Sequence, residues 1–165
     1  MNETLSQEAP NFTLNDFRGQ PVSLSDYKYQ KNIVLVFNRG FFWPYCRWHM
    51  AQLRQDYDKF IGKDAVILVV GPEKKAAFQE YWSNNQLPFI GLPDPRHRVA
   101  DLYGQQVKFL RAGRMPAMMV IDKLGKIRFK HYAESMRDIP PNQAILRLLD
   151  ILNEELLDVS SSVYA

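Results

Sequence analysis

The sequence predicts an α/β layered domain, a mixed central sheet flanked by helices. Three observations carry that prediction. Two continuous apolar runs, Ile33-Val34-Leu35-Val36-Phe37 and Ala65-Val66-Ile67-Leu68-Val69-Val70, have the β-branched content of strands buried on both faces. A segment of helical period lies between them. A hairpin pattern and a closing amphipathic helix follow in the second half.

In chain order, Met1 to Glu8 is polar and expected to be loosely held. Phe12-Thr13-Leu14 and Pro21-Val22-Ser23-Leu24 flank Asp16 to Gly19 and read as a small N-terminal β-hairpin with a glycine turn. After the first buried strand, Pro44 opens a helix expected to run to about Ile61. Its apolar positions Cys46, Met50, Leu53, Tyr57 and Phe60 recur at steps of four, three, four and three. Proline suits the first helical turn, where a missing N–H costs nothing. Gly71-Pro72 stops the second strand, and a helix over Lys74 to Asn84 turns Phe78, Tyr81 and Trp82 inward. Asp94-Pro95 reads as an N-cap with proline at the first helical position, opening a short helix with Val99, Leu102 and Tyr103 that Gly104 ends. Met118 to Asp122 and Lys126 to His131 form a hairpin through Lys123-Leu124-Gly125. The last helix, Asn142 to Asp158, aligns Ile145, Leu148, Leu149, Leu152 and Leu156. Leu146 and Leu157 widen that face, either as a broad core surface or as room for a second copy in a homodimer. Ser160-Ser161-Ser162 begins a tail expected to fray, so residues 159–165 join 1–8 as loose ends of one domain spanning 1–165.

Composition narrows the function classes. The chain has 165 residues, 46% hydrophobic and 24% charged, enough for one well-buried core. Its 21 Lys+Arg against 18 Asp+Glu leave a net charge of +3 spread along the chain, which supports neither nucleic-acid nor membrane partners. One cysteine, Cys46, excludes a disulfide framework and a Cys-rich zinc site. With only His49, His97 and His131 besides, no metal is expected, and nothing implies an organic cofactor. The first residues lack a basic stretch followed by an apolar one, so no secretory signal is visible and a cytoplasmic location is expected.

The chemistry rests on Phe37-Asn38-Arg39-Gly40-Phe41-Phe42-Trp43-Pro44-Tyr45-Cys46-Arg47. A buried strand ends, a short aromatic loop follows, and the sulfur falls in the first turn of a helix. Unpaired N–H groups and the positive dipole end favour a thiolate there, and Arg39 and Arg47 add positive charge. Such a thiolate is a nucleophile near neutral pH. Cys46 also lies on the apolar stripe of its helix, where a free cysteine can serve only as a small buried hydrophobe. Both readings stand on spacing alone.

Arg39-Gly40, the aromatics and Pro44-Tyr45-Cys46-Arg47 resemble the active-site loop of the peroxiredoxin-like proteins of the alkyl hydroperoxide reductase/thiol-specific antioxidant (AhpC/TSA) group. The resemblance continues in Ala9 to Leu14, Gly19 to Asp26, Leu87-Pro88-Phe89 through Asp94-Pro95 to Gly104, and Val120 to Ile127, covering roughly residues 9 to 155 in order. It implies a thioredoxin-like fold with an N-terminal β-hairpin extension. It also implies a thiol-dependent antioxidant peroxidase with a hydroperoxide substrate and an external thiol reductant of thioredoxin, glutaredoxin or glutathione type.

Two departures matter. Members of the group commonly carry Cys-Pro-Tyr-Cys, or Thr or Ser three residues before the peroxidatic cysteine; this chain has Trp43 there. The proline typical seven residues before that cysteine is replaced by Arg39. Cys46 aligns with the peroxidatic cysteine, which leaves a one-cysteine peroxidase. Dithiol exchange within the motif is excluded by the count. The resemblance makes Met115-Pro116 the expected cis-proline facing the sulfur, and Arg39 or Arg114 the arginine that supports it. Phe42, Trp43, Pro44, Tyr45, Met115 and Pro116 are the expected pocket. Phe41, Phe42, Trp43 and Trp48 can also be read as packing that replaced a working site.

His49, one helical turn beyond Cys46, can approach the sulfur as a base or a cation, or only flank the core stripe. His97 reads as helix surface and His131 as structural. Two other functions stay open: monothiol–disulfide exchange, which needs an accessible sulfur and a free backbone edge near Met115, and a redox-inactive binding module. Full coverage of Cys46 by Phe42 and Trp43 would favour the latter.

Overall fold

The structure, a computed structural model, describes residues 7–108 and 113–164. The two apolar runs form the middle of the sheet as β4 (Asn32–Phe37) and β5 (Ala65–Gly71), paired in parallel from Asn32 opposite Ala65 to Phe37 opposite Val70. Every residue of β4 is buried, as a strand covered on both faces requires. β5 pairs in parallel with β6 (Ile90–Pro93). The other edge of β4 carries antiparallel β9 (Ala117–Ile121), then β10 (Lys126–Tyr132), then β1 (Gln7–Glu8). The sheet is therefore mixed, in the order β1-β10-β9-β4-β5-β6. The predicted N-terminal hairpin forms from β2 (Thr13–Asn15) and β3 (Pro21–Ser23), and a second small ribbon from β7 (Val107–Lys108) and β8 (Gly113–Arg114).

Alternation along β4 divides the core. Val34 and Val36 point to the face covered by α1 (Pro44–Gln55), α2 (Tyr57–Ile61), α3 (Lys75–Asn85) and α5 (Asn142–Val163), where Met50, Leu53, Phe60, Phe78, Ile145 and Leu149 pack. Ile33, Leu35 and Phe37 point to the opposite face, covered by the N-terminal hairpin and α4 (Arg98–Leu102) through Phe12, Val22, Val99 and Tyr103. Among the described residues no helix is long and apolar enough to cross a membrane.

Several boundaries differ from the sequence reading. The helix expected over 44–61 divides at Asp56, where Asn142 Nδ2 donates both to Gln52 O and to Asp56 Oδ2. α4 starts at Arg98 rather than Pro95, because the Asp94 carboxylate reaches across a turn to accept the N–H groups of Arg98, Val99 and Ala100. β6 is a strand that periodicity did not reveal. Its Gly91 sits so close under Phe78 and Trp82 that a Cβ would lie 2.8 Å from both rings. α5 continues past Asp158 to Val163, so Ser160 to Ser162 extend the helix instead of fraying. Gln7 and Glu8, expected to be loose, form the edge strand; the remainder of that segment, residues 1–6, lies outside the described residues.

Candidate active site

The loop between β4 and α1 is fixed from below. Asn38 Oδ1 accepts the Gly40 N–H at 2.6 Å, and Glu73 Oε1 accepts the Phe41 N–H at 2.5 Å. Gly40 has φ +145, and a Cβ there would lie 3.0 Å from Glu73 Oε1, so the turn needs glycine. Phe41 stacks on Tyr81 at 4.3 Å and meets Phe78 edge-on, pinning the loop to α3. Trp43 is the N-cap, Pro44 the first helical residue, and Cys46 falls in the first turn as the sequence predicted.

Cys46 is 4% exposed, yet Phe42 does not cover it: that ring is 85% exposed and rests edge-on against Trp43. Burial pushes the thiol pKa up. The backbone N–H groups of Arg39 and Gly40 and the Arg39 charge pull it down, and the Glu73 carboxylate pushes it up again. The balance is a raised pKa. Against the expected activation at the helix terminus, desolvation here outweighs the two backbone amides and the neighbouring Arg39 cation. The same burial lowers the Arg39 pKa, partly offset by Cys46.

A narrow cleft opens beside the sulfur between the ends of β4, α1, β9 and β10, with about 10 Å³ that a water-sized molecule can occupy. Its polar groups are Asn38, Cys46, His49, His131 and Asp138, with Pro116, Ile139 and Pro140 among its apolar walls. His49 is 5% exposed, burial lowers its pKa to about 4, and its Nε2 has no hydrogen-bond partner among the described residues. His131 Nε2 lies 2.9 Å from Asp138 Oδ1. The Asp138 carboxyl is held below the usual range by the Glu134 N–H and further by His131. Arg137 hydrogen-bonds Tyr45 Oη and stacks over that ring, tying the segment before α5 to α1.

Of the expected site residues, the structure gathers Cys46, Arg39 and Pro116. Arg114 is turned away and pairs with Asp101 at 2.8 Å. Met115 is buried with its backbone engaged, its N–H on Gln106 O and its carbonyl accepting from Gln105 Nε2. No peptide bond among the described residues is cis, so Met115-Pro116 is trans, against expectation; trans is the lower-energy form of an X–Pro bond. Phe42, Trp43, Pro44 and Tyr45 do not line the cleft. Phe42 faces solvent, Trp43 lies under Arg39, Pro44 is exposed at the helix start, and Tyr45 holds Arg137. His131, read as structural, lines the cleft. Asn38, Glu73 and the 138–140 wall were missed; a carboxylate just past a strand end, as at Glu73, was the one available signal.

Residues 5–130 match the model of the AhpC/TSA family. The chain belongs to that family. It is 33% identical to peroxiredoxin Bcp of Bacillus subtilis over 103 residues, which is 62% of this chain and 65% of that one. It is 32% identical to alkyl hydroperoxide reductase E of Mycobacterium tuberculosis over 126 residues, 73% of this chain and 80% of that one. The AhpC/TSA chain thus spans under two thirds of the length of Bcp and of the rice peroxiredoxin Q it also matches. Among solved structures, peroxidoxin BcpB from Mycobacterium tuberculosis superposes with a TM-score of 0.79 at 20% identity, covering 90% of this chain and 97% of that one. The fold of this AhpC/TSA protein is thioredoxin-like, as the loop motif implied.

Proposed function

We propose that this AhpC/TSA protein is a one-cysteine, thiol-dependent hydroperoxide reductase acting through Cys46. The observation that carries the reading is the placement of the one sulfur. It borders a narrow cleft with room for about one water, under two backbone N–H groups and the Arg39 charge. Sγ attacks the terminal oxygen of the peroxide, the O–O bond breaks, and an alcohol or water leaves. Cys46 becomes a sulfenic acid, which two equivalents of external thiol return to the thiol with release of water. Thioredoxin, glutaredoxin or glutathione would serve as the reductant, in a reducing compartment such as the cytoplasm.

Trp43 supplies neither a second thiol nor a hydroxyl, which leaves the Arg39 charge and the two amides to stabilise negative charge developing at the sulfur. Monothiol exchange has less support. The sulfur is 4% exposed, and the Met115 backbone edge such a partner needs is already bonded. The raised thiol pKa is the observation that favours a redox-inactive binding module.

One experiment separates these readings: hydroperoxide consumption with a thiol reductant by wild type and by Cys46→Ser. Turnover in the wild type that Cys46→Ser abolishes is expected. Equal rates in the two proteins would leave the inactive module.

A further inference from the structure

His49 has no part in the mechanism above, yet it is built into the same cleft. It follows Cys46 by one turn of α1, so the two side chains share a helix face, with Cβ atoms roughly 5–6 Å apart. Both line the cleft beside Pro116. His49 is 95% buried and its Nε2 has no partner among the described residues, a condition that folded proteins rarely leave unused. The other titratable groups facing the space are His131 on β10 and Asp138 before α5, already paired with each other at 2.9 Å. Arg39 from the loop and Glu73 from the segment before α3 act on the sulfur with opposite sign.

Resting on the peroxidase reading, we propose that His49 Nε2 carries the proton of the Cys46 reaction. It takes the proton from the thiol as Sγ attacks and gives it to the departing oxygen. The balance is complete. Cys46 thiol and R–O–OH become Cys46 sulfenic acid and R–OH; the S–O bond forms and the O–O bond breaks with its electron pair on the departing oxygen. The proton that left sulfur ends on that oxygen. Sulfur gives up two electrons, peroxide gains them, and no further reactant is needed.

The chemistry of the site calls for such a carrier. Burial disfavours both the Cys46 thiolate and the His49 imidazolium, so His49 is a weak base toward the resting thiol and accepts the proton only as the S–O bond forms and acidifies the S–H group. A thiolate formed only as the bond forms avoids holding a charge in a dry site.

The test is single-turnover oxidation of Cys46 by hydrogen peroxide, followed as loss of titratable thiol. It compares wild type, His49→Gln and His49→Leu from mildly acidic to alkaline pH, with far-ultraviolet circular dichroism on each. At neutral pH both variants should be slower by at least about tenfold. All three rates should converge at alkaline pH, where ultraviolet absorbance shows Cys46 ionised without help. In wild type alone, the neutral-pH rate should exceed what the thiolate fraction supports.

Four results overturn the proposal: an undiminished His49→Leu, a slowing uniform across pH, recovery of the neutral-pH rate by His49→Gln, or a wild-type rate that tracks the thiolate fraction throughout. A wild type that reacts no faster than a free thiol would instead remove the peroxidase reading beneath it. A reactive wild type with an unaffected His49→Leu removes the proton carrier alone.

Discussion

The guanidinium carbon of Arg39 lies 3.6 Å from the centroid of the Trp43 ring. The residue standing where related proteins place a thiol or hydroxyl is therefore the platform for the cation beside the sulfur. Arg39 is only 5% exposed, so its attraction to the ring is poorly screened by water.

Trp43→Ala should lower stability to urea unfolding by about 1–2 kcal/mol and raise the Cys46 pKa further, since Arg39 loses the ring that backs it beside the sulfur. Trp43→Phe should keep part of both effects. The checks are the urea midpoint and a thiol titration by ultraviolet absorbance. An unchanged thiol pKa in Trp43→Ala would mean that Arg39 holds its place without the ring.

Glu73 opposes Arg39 at the sulfur. It accepts the Phe41 N–H with one oxygen, its own pKa is raised by burial, and its charge pushes the Cys46 pKa up. Glu73→Gln keeps an oxygen for the Phe41 N–H and removes the charge. The thiol pKa should fall, and peroxide should oxidise Cys46 faster at neutral pH, without loss of helical signal. A rise in the thiol pKa would show that Glu73 acts mainly by shaping the loop.

What the sequence disclosed follows from the range of the forces involved. β4 and β5 were legible because burial on both faces demands unbroken apolar runs, and Cys46 was placed by Pro44 at the helix start. β6 was not legible: four residues including Gly91 and Pro93 carry no period, and the strand is defined by pairing with β5 and by α3 packed over it. The helix dipole and the Arg39 charge could be read locally. Desolvation of the thiol could not, because it comes from strands and loops distant in sequence. The cleft's far wall, Asp138 to Pro140, likewise meets His49 and Cys46 only through the docking of α5 and β10.

Burial of His49 also sets a pH dependence of stability. Its pKa falls from an ordinary 6.5 to about 4 in the folded chain. Between those values the unfolded chain binds the additional proton, so lowering the pH favours unfolding. The stability that comes from a neutral His49 is fully present above the unfolded pKa, declines as pH falls toward about 4, and changes no further below it. The span corresponds to about 3 kcal/mol. His49→Leu has no such titration, while carboxylates such as Asp138 and Glu155 titrate in both proteins and cancel in the comparison. Urea unfolding across this range should therefore show wild type losing about 3 kcal/mol relative to His49→Leu. Parallel stability curves would mean that the native protein solvates the charged ring, and with it that the cleft admits more water than its narrow walls allow.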